Sequence, residues 1–243
     1  MDESQLSRWL SSTLIFQELS CSQLLALTQI AQFQVFKKGE LIFKQGRPAT
    51  RFFVIKTGRV KVFKISVNGR EQILNIFDEG ENFAEVAAID GLEFPASATA
   101  LDPTTVVFFT RTEFLALLHQ YPDIAIHILS SLARHTRHLV QVIEDLSFKD
   151  VPQRLASHLL NLSSYQTVTP LTQQANVVML NLSKHQLAAA LGTIPATLSR
   201  AFYRLSTDDI IAVKGMQIEI LDHDRLLALS QLSKSQPSLD QCH

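Results

Sequence analysis

The chain has 243 residues, 46 % of them hydrophobic and 19 % charged, with a formal net charge of −1. That composition leaves room for one or two cored domains but for no membrane span, since no apolar run approaches the roughly 18 residues a bilayer needs. Met1-Asp2-Glu3 lacks the basic and apolar regions of a secretory signal, and Cys21 and Cys242 stand too far apart for a disulfide framework, so the expectation is a cytoplasmic protein with no membrane partner.

In chain order, residues 6–30 predict a helical region. The pattern then changes to short segments rich in Phe, Val and Ile at 33–37, 40–43, 51–57, 59–66 and 71–77, followed by two more at 96–101 and 104–110. Turn signals separate them: Lys38-Gly39, Gln45-Gly46-Arg47-Pro48, Thr57-Gly58, Asn68-Gly69 and Glu79-Gly80. Strands at this spacing predict an antiparallel roll or barrel.

A long helix is predicted next, from about 123 to 147. Ala125, Leu129, Leu132, Thr136, Leu139, Ile143 and Leu146 alternate in steps of four and three, a heptad seam sustained for three repeats. Ile126, Ile128 and Val142 lie off that seam. A helix apolar on two sides needs two partners, which predicts a second copy along the seam and the roll on the other side. The plain alternative is a surface helix packed only on its own domain. Val151-Pro152 breaks the pattern and places a hinge at Phe148-Lys149-Asp150. The predicted domains are 1–122, 123–148 and 149–243.

Residues 181–205, NLSKHQLAAALGTIPATLSRAFYRL, predict two short helices and a tight turn. Ser183 suits the first N-cap, Gly192 the turn, and Pro195 the first turn of the second helix. Leu198, Phe202 and Leu205 form a buried face; Thr197, Ser199, Arg200 and Arg204 lie opposite. This is the layout of a helix-turn-helix, whose second helix offers its early residues to base edges in the major groove. An ordinary helical hairpin has the same spacing. The strands predicted at 210–214 and 217–221, around Gly215-Met216, favour a winged helix-turn-helix, with Lys214 at the wing tip facing phosphate. The charge is modest: within 181–216, Lys184, Arg200, Arg204 and Lys214 oppose Asp208 and Asp209. Affinity for double-stranded DNA would then depend on doubling the site in a homodimer.

With EGENFAEVAAIDGLEFPASATA (79–100), FKDV (148–151) and LGTIPATLSR (191–200), the chain resembles the Crp/Fnr family of bacterial transcription regulators over nearly its whole length. GENFAE, Val142 to Leu146 and GTIPATLSR look most like two nitrogen-oxide-responsive branches, the regulators of dissimilative nitrate respiration and the nitrosative-stress regulators of hybrid cluster protein. The resemblance implies an α+β fold: an N-terminal, cyclic-nucleotide-binding-like antiparallel β-roll, a long dimerisation helix and a C-terminal winged helix-turn-helix. It implies a homodimeric DNA-binding regulator, not an enzyme, with RNA polymerase as a further partner. An effector would repack the roll against the dimer helices and reorient the DNA-reading helices, which requires tighter binding to one arrangement than to the other.

In the family's cyclic-nucleotide members a Gly-Glu pair and an Arg-Ser pair hold ribose and phosphate. They fall here on Ala84-Glu85 and Ala96-Ser97, and no Lys or Arg in 82–100 replaces the missing arginine. Leu139 and Val140 stand where hydroxyls meet the base. Cyclic AMP is therefore not the expected effector, because a buried phosphate needs a cation or backbone donors. Two distant cysteines cannot supply the four thiolates of an iron–sulfur cluster. The resemblance leaves haem, with nitric oxide as the signal. The pocket would lie between Phe83, Ala84, Glu85, Val86, Ala96, Ser97 and the helix near Leu132, His135 and Leu139. Of the eight histidines, His135 ranks first as haem ligand and His138 second, against the plain reading of both as solvated helix-face residues.

The Fnr branch carries Glu, two residues, then Ser-Arg on its recognition helix. Ser199 and Arg200 match the last two, and Ala196 replaces the glutamate. Arginine pairs bidentately with guanine, so the resemblance implies a palindrome with TTG-like half-sites. Lys184, His185, Thr197 and Lys214 fall on phosphate-contact positions. An enzyme finds no support: there is no zinc-type spacing, phosphate loop or nucleophile elbow. The remaining alternative is an effector-binding module of the same fold that responds to another small molecule or a nucleotide and acts through protein contacts.

Overall fold

Two stretches, RFFVIKT and TTVVFFT, each carry four consecutive apolar residues, and the computed structural model accounts for both. The structure describes residues 2–166 and 176–231. The chain divides into two units, Met1–Leu139 and Val140–His243. The first holds α1 (Glu3–Ser11), α2 (Cys21–Ile30), β1 (Gln32–Phe36), β2 (Leu41–Phe43), β3 (Arg51–Thr57), β4 (Val60–Ile65), β5 (Glu71–Phe77), β6 (Asn82–Phe83), α3 (Glu85–Asp90), β7 (Ser97–Ala100), β8 (Thr104–Thr110), α4 (Arg111–Gln120) and most of α5 (Asp123–Phe148).

Two four-stranded antiparallel sheets, ordered β1-β8-β3-β6 and β2-β7-β4-β5, form the roll. β3 and β8 pair along their length and carry helices on one side and the second sheet on the other. Side chains alternate across a strand. Phe53, Ile55, Val106 and Phe108 therefore enter the roll with Val60, Phe77, Phe83 and Ala98. Phe52, Val54, Val107 and Phe109 pack instead on Leu10, Phe16, Leu27, Phe114, Ile124 and Ile128. A strand buried on both faces needs apolar residues at every position. Each fully buried Phe stabilises the fold by about 1.5–3 kcal/mol.

The helical region expected over 6–30 is two helices. Ser12 and Thr13 hydroxyls donate to the carbonyls of Trp9 and Leu10 at 2.7 Å each, satisfying the end of α1. Ser20 then caps α2 in a reciprocal capping box with Gln23.

α5 buries Ile124, Ile128 and Ser131 on one face. Leu132 is half-buried against the same helical core. Ile126, expected to touch the roll, is 61 % exposed, because it lies off the 124-128-131 line. Leu129, Thr136, Leu139 and Ile143 of the heptad seam are exposed, and Ala125 and Leu146 half-buried.

The second unit contains α6 (Val151–Gln166), β9 (Val177–Met179), α7 (Lys184–Ala190), α8 (Pro195–Thr207), β10 (Ile211–Lys214), β11 (Gln217–Ile220) and α9 (His223–Gln231). The strands form one antiparallel sheet ordered β10-β11-β9. Pro152, read as a pattern breaker, sits in the first turn of α6, where its missing N–H is tolerated, and Asp150 accepts from the Gln153 N–H at 2.9 Å. Its core joins Leu155, Leu159, Val178, Leu187, Leu198, Phe202, Leu205, Ile218 and Leu226, all buried.

His158 on α6 has a buried Nε2 with no hydrogen-bond partner, and burial pushes its pKa down from 6.5 to about 4. The unfolded imidazole takes up a proton below about 6.5, the folded one only near 4. Stability is thus full above that range and falls as the pH drops through it, by about 1–2 kcal/mol at pH 5. Thermal melts from pH 7.5 to 5 should show this slope, flattened in His158→Leu; an equal slope in that variant sinks the assignment.

Candidate functional site

A cavity of about 330 Å³ opens in the roll, within the range of small-molecule sites but near its lower end. Its walls are largely aromatic and aliphatic: Phe43, Val62, Leu74, Phe77, Phe83, Phe94 and Leu139. Ala84, Glu85, Val86, Ala96 and His135 complete the lining among the residues expected there. Ser97 and Leu132 do not line it. The Ser97 hydroxyl accepts from the Gln45 N–H at 3.0 Å, and Leu132 packs on the helical core.

Two side-chain pairs fasten the β6–α3 loop to α5. The Ser131 hydroxyl donates to Asn82 Oδ1 at 2.9 Å, and His135 Nδ1 lies 2.6 Å from Glu85 Oε1. Glu85 is 1 % exposed and its Oε2 has no partner. When Glu85 is a carboxylate it can only accept, and the hydrogen bond then takes its proton from the imidazole Nδ1. Phe77 holds the same ring edge-on at 5.2 Å. His138 also lines the cavity, its Nε2 3.2 Å from the Leu74 carbonyl.

Ala96, the position at which the resemblance implies a phosphate-holding arginine in nucleotide-binding proteins, is buried and lines the cavity, so the wall there is a methyl group. Lys64 lines the cavity from β4, a cation that a reading confined to 82–100 missed. The signal was period-two alternation: Val62 and Lys64 share one face of β4.

Between the two pairs, Ala84 adopts φ +68°. The left-handed region costs an L-residue roughly 1–2 kcal/mol, partly offset by the stiffer unfolded chain of Ala relative to Gly. Ala84→Gly is expected to raise stability by up to about 1 kcal/mol, read as a higher melting temperature. An unchanged or lowered melting temperature would show that the loop is not strained.

The second site is a helix face. The Ser183 hydroxyl accepts from the Gln186 N–H, and the Ser183 N–H donates to the Gln186 side-chain oxygen in return, capping α7. Gly192, at φ +63°, makes the turn. Pro195 opens α8, which buries Leu198, Ala201, Phe202 and Leu205. The opposite face exposes Ala196, Ser199, Arg200, Tyr203 and Arg204, with Thr197 half-buried. The Ser199 hydroxyl donates to the Pro195 carbonyl at 2.9 Å, leaving its lone pairs to accept. Arg204 lies 3.9 Å from Asp208, both largely exposed, so the contact contributes little. Lys184 and His185 are exposed at the start of α7. Lys214 ends β10 beside the Gly215 turn and pairs with Glu219 at 3.3 Å.

A roll with an internal cavity, followed by a winged helix-turn-helix with an exposed, polar second helix, defines an effector-responsive DNA-binding regulator. Residues 33–121 match the cyclic nucleotide-binding domain family and residues 153–229 the Crp-like helix-turn-helix domain family. The transcriptional activator protein Anr of Pseudomonas protegens is 32 % identical over 196 residues, 80 % of this chain and 78 % of that protein. The cyclic AMP receptor protein of Thermus thermophilus is 30 % identical over 189 residues, 78 % of this chain and 83 % of that one. The solved structure of FixK2 from Bradyrhizobium japonicum superposes with a TM-score of 0.70 at 25 % identity, covering 82 % of this chain and 97 % of that one. The chain belongs to the Crp/Fnr family of transcription regulators. No helix among the described residues is long and apolar enough to cross a membrane.

Proposed function

We propose that the protein acts as a homodimer that reads a palindrome with TTG-like half-sites, answers to a small effector in the roll, and contacts RNA polymerase. The observation that carries this reading is the outer face of α8, where Ser199 and Arg200 stand exposed above a fully apolar inner face. An electrophoretic mobility shift on such a palindrome tests it. Binding should weaken steeply with salt, because each phosphate contact releases a counterion. Salt-insensitive or absent binding would favour a module that acts through protein contacts.

For the effector we propose haem, with nitric oxide as the signal, in place of cyclic AMP. A cyclic nucleotide's phosphate would meet the Ala96 methyl, and Lys64, the cation on the lining, is an exposed residue of β4. The donor set suits haem in kind: apolar walls and an imidazole whose Nδ1 is held by a buried carboxylate, the usual second partner of a ligating histidine. His135 would be the ligand through Nε2, with Glu85 fixing its ring. Haem would supply the iron centre that captures nitric oxide. A porphyrin needs more room than the present cavity, so the walls would have to part. That volume favours, as second reading, a smaller apolar effector. Titration of the protein with haem should give a Soret shift that His135→Ala loses; no shift in the wild type turns the proposal to the smaller ligand.

A further inference from the structure

Tyr203 is the largest side chain on the outer face of α8. It is 74 % exposed, and its side chain makes no hydrogen bond or ring contact among the described residues. The helix does not need it for packing, since Phe202 and Leu205 fill the inner face. An aromatic ring left in water forfeits the stabilisation that burial of its apolar surface would provide.

Its position on the helix is specific. Tyr203 follows Ser199 and Arg200 by four and three residues, so the three share one face. Seven residues separate it from Ala196, which places both on nearly the same azimuth. At about 1.5 Å of rise per residue, Tyr203 lies about 4.5 Å along the axis from Arg200. That is a little more than one step of about 3.4 Å along a DNA strand. The base-reading stripe thus carries only a methyl group at its N-terminal end and a large ring one turn beyond the arginine. Exposed cations nearby, Arg204 and Lys214, are available for phosphate.

We infer that Tyr203 is a specificity residue whose ring packs against the C5-methyl group of a thymine one or two base pairs from the guanine met by Arg200. The thymine methyl is the one apolar feature of the major-groove base edges. Contact there moves part of the sequence reading from the Ala196 end of the stripe to its far end. The inference rests on the reading of α8 as the base-reading helix.

The test uses the full-length protein, an operator selected from a randomised palindrome, and copies in which each symmetric thymine pair is replaced in turn by uracil, which removes only the methyl. Wild-type affinity should fall by about fourfold per half-site at one such pair, the effect of one methyl group's burial. Tyr203→Phe should keep that profile. Tyr203→Ala should bind the thymine operator more weakly and be indifferent to uracil at that pair. A Tyr203→Ala profile identical to wild type overturns the inference. Equal weakening of Tyr203→Phe on thymine and uracil DNA also overturns it, assigning the hydroxyl to phosphate. Absence of salt-sensitive binding by the wild type overturns the reading of α8 itself, and this inference with it.

Discussion

Ile143→Asp is expected to turn the proposed homodimer into a monomer and to weaken binding to the proposed palindromic site by about 10²–10⁴-fold, the span of avidity lost when two linked contacts become one. Ile143 is 63 % exposed, as is Leu129, and Leu139 is 42 % exposed. The three share the heptad line of α5, where an isologous pair of helices would bury each of them twice, once from each copy. A carboxylate on that line must either be desolvated or hold the helices apart. Because Ile143 contributes little to its own subunit's core, the variant should keep the wild-type circular dichroism. Glu144→Ala, one residue off the line and exposed, should leave the assembly unchanged. Sedimentation analysis supplies the readout. An Ile143→Asp protein that remains dimeric would move the interface to another surface.

The parts of the fold that were legible share a physical cause. β3, β5 and β8 fall on the predicted residues 51–57, 71–77 and 104–110. β3 and β8 separate two cores, so the four central positions of each had to be apolar on both faces, and Gly58 and Pro103 mark where the strands stop. β6 has only two residues, too few for any period to register. α4 passed unread although its signal was present: Thr110 accepts from the Glu113 N–H and donates to its carboxylate, a capping arrangement three residues long, ahead of buried Phe114 and Leu117. α3 depends on the left-handed Ala84, a conformation that residue type does not announce.

The two candidate sites divide the same way. On α8 the 3.6-residue period sorts inner from outer residues almost without help, which is why Ser199 and Arg200 were placed on the exposed face from spacing alone. Tyr203 was overlooked because an aromatic residue in an amphipathic helix is ordinarily assigned to the core. The cavity, by contrast, is assembled from β4, β5, the β6–α3 loop and α5. Nothing local in the chain reports that Lys64 on one strand and Leu74 on the next share a wall, nor that Glu85 finds its partner fifty residues later in His135. Long-range pairing of this kind depends on sheet register, and register follows from turn geometry and from which face each strand buries.

Arg200→Ala is expected to remove the preference for guanine at its position in each half-site, at a cost of about 1–3 kcal/mol per half-site and so about twice that on the palindrome. Arg200 is exposed on α8, away from the buried Leu198, Ala201 and Phe202, and no ion pair or hydrogen bond holds its guanidinium among the described residues. It is therefore free to form the two parallel bonds that guanine O6 and N7 accept, a geometry that the lysine ammonium does not reproduce. Arg200→Lys should accordingly retain salt-sensitive affinity for DNA of any sequence while losing most of the discrimination. Competition binding with the operator and with a guanine-to-adenine copy separates the two quantities. If Arg200→Ala loses affinity equally on operator and scrambled DNA, the side chain serves the phosphate backbone, and the base reading of α8 must come from Ser199 and the residues beyond it.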